Sequence, residues 1–369
     1  NDLNLSGFTA NNLGVNVDTT APNPTGITLD GSPAAGANTV TYSVGFDEAV
    51  QNLDSGDFSL TGTVGTASID SVVQDGGADA WDVQVSIPDG ESGTVGLDLT
   101  TGDVTDAAGN ALAAGDSIAP RTVDTVTPTV ASVSLDGTPG ETATSVTYSV
   151  TFSEDMQNVD AADFGVTTTN TATGSIFSVA QDGSADSYNV TVDPIGGDGT
   201  LQLDVQTGGL SDLAGNTLTS GASSSAHNVN IAGPSVVSIS PTMTFGEAAP
   251  SVSYDVTFDE DVQNVTADDF SVETTDGVTT NAPSNVTGAG DTRTVTVDNI
   301  GEDGTMALKV SVSDITDTVG NALSGPFTGP ARNVDHVAPV LNTTSGAGAS
   351  LVRSGEDIVI EVRADEALV

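Results

Sequence analysis

The sequence predicts an all-β protein made of tandem β-sandwiches. Two observations support this fold class. Acidic and aromatic residues recur along the chain at one fixed spacing, which is the signature of a repeat protein. Within each recurring segment, short stretches alternate apolar and polar residues with a period of two, and Gly, Asp and Asn turns separate them. Helical periodicity is not found in these segments.

The repeat is defined by four glutamates, Glu48, Glu154, Glu260 and Glu366, each 106 residues from the next. An Asp-Phe pair, at 57–58 in the first copy, returns in the next two, as does a turn that ends in Gly-Asn. The predicted copies are 18–123, 124–229 and 230–334, with the last strand of a preceding copy at 1–17 and a truncated start of a fourth at 335–369.

Strands can be assigned in the second copy, where Val146, Tyr148, Val150 and Phe152 alternate with serine and threonine. The apolar side chains are expected to face a core and the hydroxyls to face water. Seven short strands in a copy of this length indicate an immunoglobulin-like Greek key. They are predicted at about 128–136, 145–153, 164–169, 173–180, 187–192, 200–206 and 224–230. Since the linkers between copies are short, we expect the copies to stack head to tail as a rod.

Composition excludes several classes of function. The chain has 51 acidic residues against 6 Lys and Arg, for a net charge of −45, so nucleic acids and anionic membranes would be repelled. Cysteine is absent, which removes disulfides and thiol chemistry. No run of 18 apolar residues occurs, so direct membrane insertion of this segment is not expected.

Three sequence motifs of the second copy carry a family resemblance: Phe-Ser-Glu-Asp at 152–155, Asp-Leu-Ala-Gly-Asn at 212–216 and Asp-Thr-Val-Thr-Pro at 124–128. They resemble the bacterial immunoglobulin-like repeats of large secreted adhesins and other surface proteins. The resemblance implies an extracellular or cell-surface location and a part in cell adhesion. Because such repeats serve many purposes, the fold alone does not fix the function.

The recurring acids predict calcium sites at the junctions between copies. In a seven-stranded Greek key, the start of the first strand and the loops between strands two and three, four and five, and six and seven lie at one end. Calcium takes six to eight oxygen ligands, which loops converging at one end can supply. The alternative is that these carboxylates are solvated turn residues. The predicted ligands are Asp18, Glu48, Asp106, Asp124, Glu154, Asp155, Asp212, Glu260, Asp261, Asp317, Asp335 and Glu366.

Two further features of the repeats lead to expectations: one departure from repetition and one set of recurring cations. The third copy has Asn230 at its junction and Thr266 in place of an acid, so its junction should bind cation more weakly. Arg121, His227 and Arg332 share one register near the end of each copy. We expect these cations to form weak ion pairs with the acidic end of the next copy.

The sequence favours a non-catalytic protein. Its two histidines lie in different registers, and neither belongs to a repeated Ser-His-Asp set. We predict an extracellular spacer or stalk of a large surface adhesin, whose stacked repeats are stiffened by Ca²⁺. The alternative is a structural subunit of an extracellular fibre, sheath or surface layer. Neighbouring repeats are the expected partners in both cases, and identical chains would be added partners in a fibre.

Overall fold

The computed structural model describes residues 17–242, 247–311, 314–336, 338, 340–343 and 362–364. The chain forms two compact units. The first contains residues up to 195 together with 199–228, and therefore holds most of the first two predicted copies. The second contains 196–198 and the chain from 229 onward.

The first copy is a two-sheet sandwich with immunoglobulin topology. One sheet has the order β1-β2-β5-β4, and in the other β6 pairs with β3, β7 and β8. This is the ABED and CFG arrangement of a constant-type immunoglobulin domain. The predicted fold class is confirmed. Its strands are β1 (Pro24–Leu29), β2 (Thr39–Phe46), β3 (Phe58–Gly62), β4 (Ser68–Gln74), β5 (Ala80–Ser86), β6 (Ser92–Leu99), β7 (Asp116–Ser117) and β8 (Arg121–Asp124).

The second copy repeats this topology, with sheets ordered β13-β14-β10-β9 and β12-β15-β17 and a small β11-β16 ribbon. The predicted last strand, 224–230, is found as the shorter β18, and the two-residue strand β17 precedes it. The strands are β9 (Val130–Leu135), β10 (Val146–Phe152), β11 (Met156–Gln157), β12 (Phe164–Thr168), β13 (Ile176–Gln181), β14 (Ser187–Val192), β15 (Asp198–Val205), β16 (Ser211–Asp212), β17 (Ala222–Ser223) and β18 (His227–Asn230).

The second unit carries the third sandwich. Its sheets are ordered β19-β20-β24-β23 and β22-β25-β27, β28 also pairs with β25, and β21 pairs with β26. A separate pair, β29 with β30, follows it. The strands are β19 (Val236–Pro241), β20 (Ser251–Phe258), β21 (Val262–Gln263), β22 (Phe270–Thr274), β23 (Asn285–Thr287), β24 (Thr292–Asp298), β25 (Gly304–Val310), β26 (Thr316–Asp317), β27 (Phe327–Thr328), β28 (Arg332–Val334), β29 (Leu341–Thr343) and β30 (Val362–Ala364).

The predicted alternation builds the cores. On β10, Val146, Tyr148, Val150 and Phe152 are all buried, as expected from a period of two. The ring of Phe152 meets that of Tyr188 edge to face, with centroids 6.1 Å apart. Burial of each large apolar side chain contributes roughly 1.5–3 kcal/mol, so the aromatic residues are part of the core.

The recurring Asp-Phe pair has a structural role. Its aspartate ends a single 3₁₀ turn, Ser55–Asp57 in the first copy and Ala161–Asp163 in the second. The Asp57 carboxylate accepts the backbone N–H of Asp54 at 2.9 Å, which closes a capping box. Burial raises the pKa of Asp57. These turns fix the path of the loop between β2 and β3, which carries Glu48. Ala267–Asp269 is the third such turn.

No helix in the described ranges is long and apolar enough to cross a membrane.

Candidate functional site

Three segments of the first copy meet at one end of its sandwich. They are the chain before β1, the loop 47–57 between β2 and β3, and the loop 100–115 between β6 and β7. The last two are tied together by a backbone bridge between Gln51 and Thr105. Sequence reasoning predicted this convergence, because the Greek key places these segments at the same edge of the two sheets.

The Gly-Asn turn, residues 106–110, is organised by its first aspartate. Asp106 is 3% exposed, and one of its carboxylate oxygens accepts the N–H groups of Ala108 and Asn110, each at 2.8 Å. The other oxygen accepts the Asn110 side-chain amide at 2.7 Å. The same amide reaches the backbone carbonyl of Asp18 at 3.3 Å. This turn therefore holds the junction residue against the acidic loop.

The second copy has the same arrangement at residues 212–216. Asp212 is 1% exposed and accepts the N–H groups of Gly215 at 2.7 Å and Asn216 at 2.8 Å. The Asn216 amide donates to the Asp212 carboxylate at 2.7 Å and to the Asp124 carbonyl at 2.8 Å. The asparagine of the turn was not among the predicted ligands. Its recurrence in the Gly-Asn motif was the signal of its linking role.

Two groups of three carboxylates result, and all six residues are among the predicted ligands. In the first, oxygens of Asp18, Glu48 and Asp106 all lie within 4.8 Å of one another. In the second, which we call the second acidic cluster, oxygens of Asp124, Glu154 and Asp212 meet the same limit. Each group draws one acid from each of three chain segments, so the tertiary fold is what creates them.

The glutamate of each group is the least favourably placed acid. Burial raises the pKa of Glu154, and the charges of Asp212 and Asp124 raise it further. One oxygen of Glu154, Oε1, is buried without a hydrogen-bond partner among the described residues. Burial and the charges of Asp18 and Asp106 also raise the pKa of Glu48.

In the first group, the pKa of the turn aspartate is lowered. The side-chain amide of Asn110 is the largest cause that lowers the pKa of Asp106, and backbone N–H groups of the turn add to it. In the second acidic cluster, hydrogen bonds anchor Asp212 near Glu154, whose Oε1 has no hydrogen-bond partner among the described residues. Such a donor set suits a hard divalent cation. A cation there would supply the positive charge that the protein itself does not.

The third copy differs at its junction. The Asn321 amide donates to the carbonyl and side-chain oxygens of Asn230, each at 3.0 Å, and to Asp317 at 2.8 Å. Burial raises the pKa of Glu260, and the charges of Asp317 and then Asp198 raise it further, to about 7. Asp198 itself accepts the N–H groups of residues 231 and 232 at 3.0 and 2.9 Å. Within the described ranges, groups of three close carboxylates are found in the first two copies.

The remaining predicted ligands lie elsewhere. Asp155 and Asp261 are exposed and stand outside both groups. Burial, and after it the charge of Asp155, raises the pKa of the Tyr188 hydroxyl. The N–H of Asp335 donates to the carbonyl of Glu247 at 3.2 Å. Glu366 falls outside the described residues.

Comparisons with known proteins give structural likenesses alone. The chain matches no protein-family profile. It matches no curated protein. Among solved structures, it is similar to the S-layer protein rSbsC(31-844), with 15% identity over 94% of this chain and 63% of that one and a TM-score of 0.24. The chain thus spans less than two thirds of that S-layer structure.

Two further similar structures are the D00-D0 domain of intimin and invasin, described as a bacterial integrin-binding protein. The first has 15% identity over 55% of this chain and 99% of that one, with a TM-score of 0.27. The second has 13% identity over 86% of this chain and 61% of that one, with a TM-score of 0.27. At these scores the likenesses carry no argument about function. The strand order defines the class: a tandem immunoglobulin-like β-sandwich protein.

Proposed function

We propose that this chain is a non-catalytic spacer segment of an extracellular surface protein, and that divalent cations, Ca²⁺ above all, stiffen its repeats. The observation that carries the proposal is the second acidic cluster. Its three carboxylates come from three chain segments and offer oxygens within 4.8 Å of one another, and one Glu154 oxygen, Oε1, is buried without a hydrogen-bond partner among the described residues.

The position of this cluster supports a mechanical role. Asp124 ends β8, the last strand of the first copy, whereas in the second copy Glu154 lies between β10 and β11 and Asp212 ends the short strand β16. A cation held by all three carboxylates would tie the end of one sandwich to the next. Fixing this short connection limits the angles that the two sandwiches can adopt, which is what a spacer requires.

Charge and calcium availability support an extracellular setting. A net charge of −45 opposes compaction, and a cation that binds the folded state alone offsets that repulsion by mass action. Carboxylate sites of modest charge in extracellular modules fill at about 10⁻⁴–10⁻³ M calcium. The same acids recur in successive copies and are hydrogen-bonded into turns, a pattern that favours structural binding over catalysis.

Calorimetry tests this proposal. We expect isothermal titration of the full chain with Ca²⁺ to show binding, and the melting temperature to be higher in Ca²⁺ than in a chelator. At a free concentration of 100 times the dissociation constant, one site adds about 2.7 kcal/mol. Mg²⁺ serves as the control ion, because it demands octahedral geometry and dehydrates reluctantly. No binding and identical melting in Ca²⁺ and chelator would contradict the proposal.

One observation favours the alternative of a fibre or surface layer. Each copy exposes a large apolar side chain on an edge strand: Val73 on β4, Phe177 on β13 and Val237 on β19, which are 53%, 71% and 59% exposed. Exposed apolar edges promote lateral association. Sedimentation of the wild type and of Phe177→Ser separates the two functions. Concentration-dependent assembly that the substitution abolishes supports the fibre, and a monomer at all concentrations supports the spacer.

A further inference from the structure

The loop between β1 and β2 of the first copy contacts the second copy directly. We call residues 33–36 the docking loop. The N–H of Gly36 donates to the carbonyl of Ala214 at 3.2 Å, and the carbonyl of Ala35 accepts the N–H of Asp124 at 3.0 Å. Ala214 belongs to the Gly-Asn turn of the second copy. The first of these backbone hydrogen bonds joins the two sandwiches without any cation, and the second holds the docking loop against the end of its own copy.

The contact leaves no room for a side chain at Gly36. A Cβ there would lie 2.7 Å from Oδ1 of Asn216 and 3.0 Å from the carbonyl oxygen of Ala214. Neither atom can move away easily. The first belongs to a side chain whose amide is held by Asp212 and by the Asp124 carbonyl, and the second is backbone. The glycine is required by close approach, because its φ lies outside the left-handed region.

Arg121 holds the docking loop in place. Its guanidinium donates to the carbonyl of Pro33 at 2.8 Å and to that of Ala34 at 3.3 Å. The sequence predicted that Arg121 would form an ion pair with the next copy. It instead braces the loop of its own copy, because the loop turns its carbonyls toward the end of β8. A charge-assisted hydrogen bond of this type is stronger than one between neutral groups.

The other copies lack this glycine. At the repeat spacing of 106 residues, Thr142 and Ala248 stand where Gly36 stands in the first copy. The loop of the second copy has a closely similar backbone, since the hydrogen bond from Ala37 to Ala34 recurs from Ala143 to Gly140. Thr142 and Ala248 both carry a Cβ, and a Cβ at this position would clash with Oδ1 of Asn216. Loops of the other copies therefore cannot dock on this turn in the same way.

We infer that the docking loop is an interaction surface specific for the Gly-Asn turn of the second copy, and that the absence of a side chain at Gly36 is what permits the contact. The arrangement of these two copies is then held by shape at this joint. The joint holds one arrangement in the absence of cation, so this inference stands or falls independently of the calcium proposal.

The full chain can be labelled cleanly to test this, because it contains no cysteine. Val73→Cys and Phe177→Cys place one spin label on each copy at exposed positions. Their separation is measured by electron double resonance in a chelator, which removes any contribution from bound metal. For the doubly labelled chain without further substitution, we expect one narrow distribution of distances between the labels. Adding Gly36→Ala should broaden this distribution.

Gly140→Ala is the matched control, because a Cβ at Gly140 meets nothing within 4 Å and lies in the corresponding loop. It should leave the narrow distribution intact. Hydrogen exchange of the doubly labelled chains gives a second measurement, in which Gly36→Ala should lose protection at the amide of residue 36, which donates to Ala214, while β2 and β10 stay protected. An unchanged distribution in Gly36→Ala, or equal broadening in Gly140→Ala, would overturn the inference.

Discussion

Glu154→Gln removes one of the three charges of the second acidic cluster without changing the shape of the side chain. Two unit charges 4.8 Å apart repel by about 3.5 kcal/mol at an effective dielectric constant of about 20. Solvent at this half-buried residue and partial protonation reduce the effect on folding to about 1–2 kcal/mol. In a chelator we therefore expect the variant to be more stable than the wild type.

Calcium should reverse the sign of this effect. The substituted amide binds a hard cation more weakly than a carboxylate does, so the variant should lose most of the calcium stabilisation contributed by this cluster. For a sandwich of about 100 residues, about 1–2 kcal/mol corresponds to roughly 5–10 °C in melting temperature. The expected result is a rise of that size in chelator and a smaller calcium-induced rise than in the wild type.

Scanning calorimetry of the full chain in chelator and in millimolar Ca²⁺ measures both effects. Glu141→Gln is the matched control, since it removes one charge from an exposed glutamate of the same copy. It should change either melting temperature little. A Glu154→Gln variant that is destabilised in chelator would refute the argument from repulsion. A variant with the full calcium shift would show that Glu154 is not a ligand.

Three more predictions concern single residues. Asp106→Ala leaves the buried donors of its turn without their acceptor, so urea unfolding should show a loss of about 2–4 kcal/mol, with Asp106→Asn intermediate. The pKa of Glu260 is raised from its ordinary value of 4.5 to about 7. Between these two pH values the folded state therefore binds more protons than the unfolded state does. In chelator, the free energy of unfolding should therefore fall by about 1–2 kcal/mol, after allowance for screening, as the pH rises from about 5 to about 8. Glu260→Gln should flatten this pH dependence. An equal slope in the variant would contradict the prediction. Phe152→Ala should cost about 3–5 kcal/mol by leaving a cavity, whereas Phe177→Ala, at an exposed position, should change stability by less than about 0.5 kcal/mol.

Much of the fold follows from local patterns. The period-two alternation on β10 predicts both its limits and its buried face, because a strand that covers a core must alternate. All seven strand segments predicted in the second copy are found within a few residues of their predicted positions. The structure adds the two-residue strands β11, β16 and β17, which are too short for alternation to predict them.

The acidic cluster was predictable in part. Asp124, Glu154 and Asp212 could be grouped because the Greek key determines which loops share an end of the sandwich. Asp155 follows Glu154 directly, and the sequence does not distinguish them as ligands. The loop conformation does so: it directs Glu154 into the group and leaves Asp155 exposed.

The sequence by itself determined the repeat of 106 residues, the strand pattern and the recurrence of the acids, since these depend on local composition and spacing. The tertiary structure alone decided which carboxylates meet, what Arg121 holds, and why Gly36 has no side chain. The physical reason is that close approach between distant segments depends on the position of each loop to within a few ångströms. A single sequence records the residues that permit such an approach without recording the partner they approach.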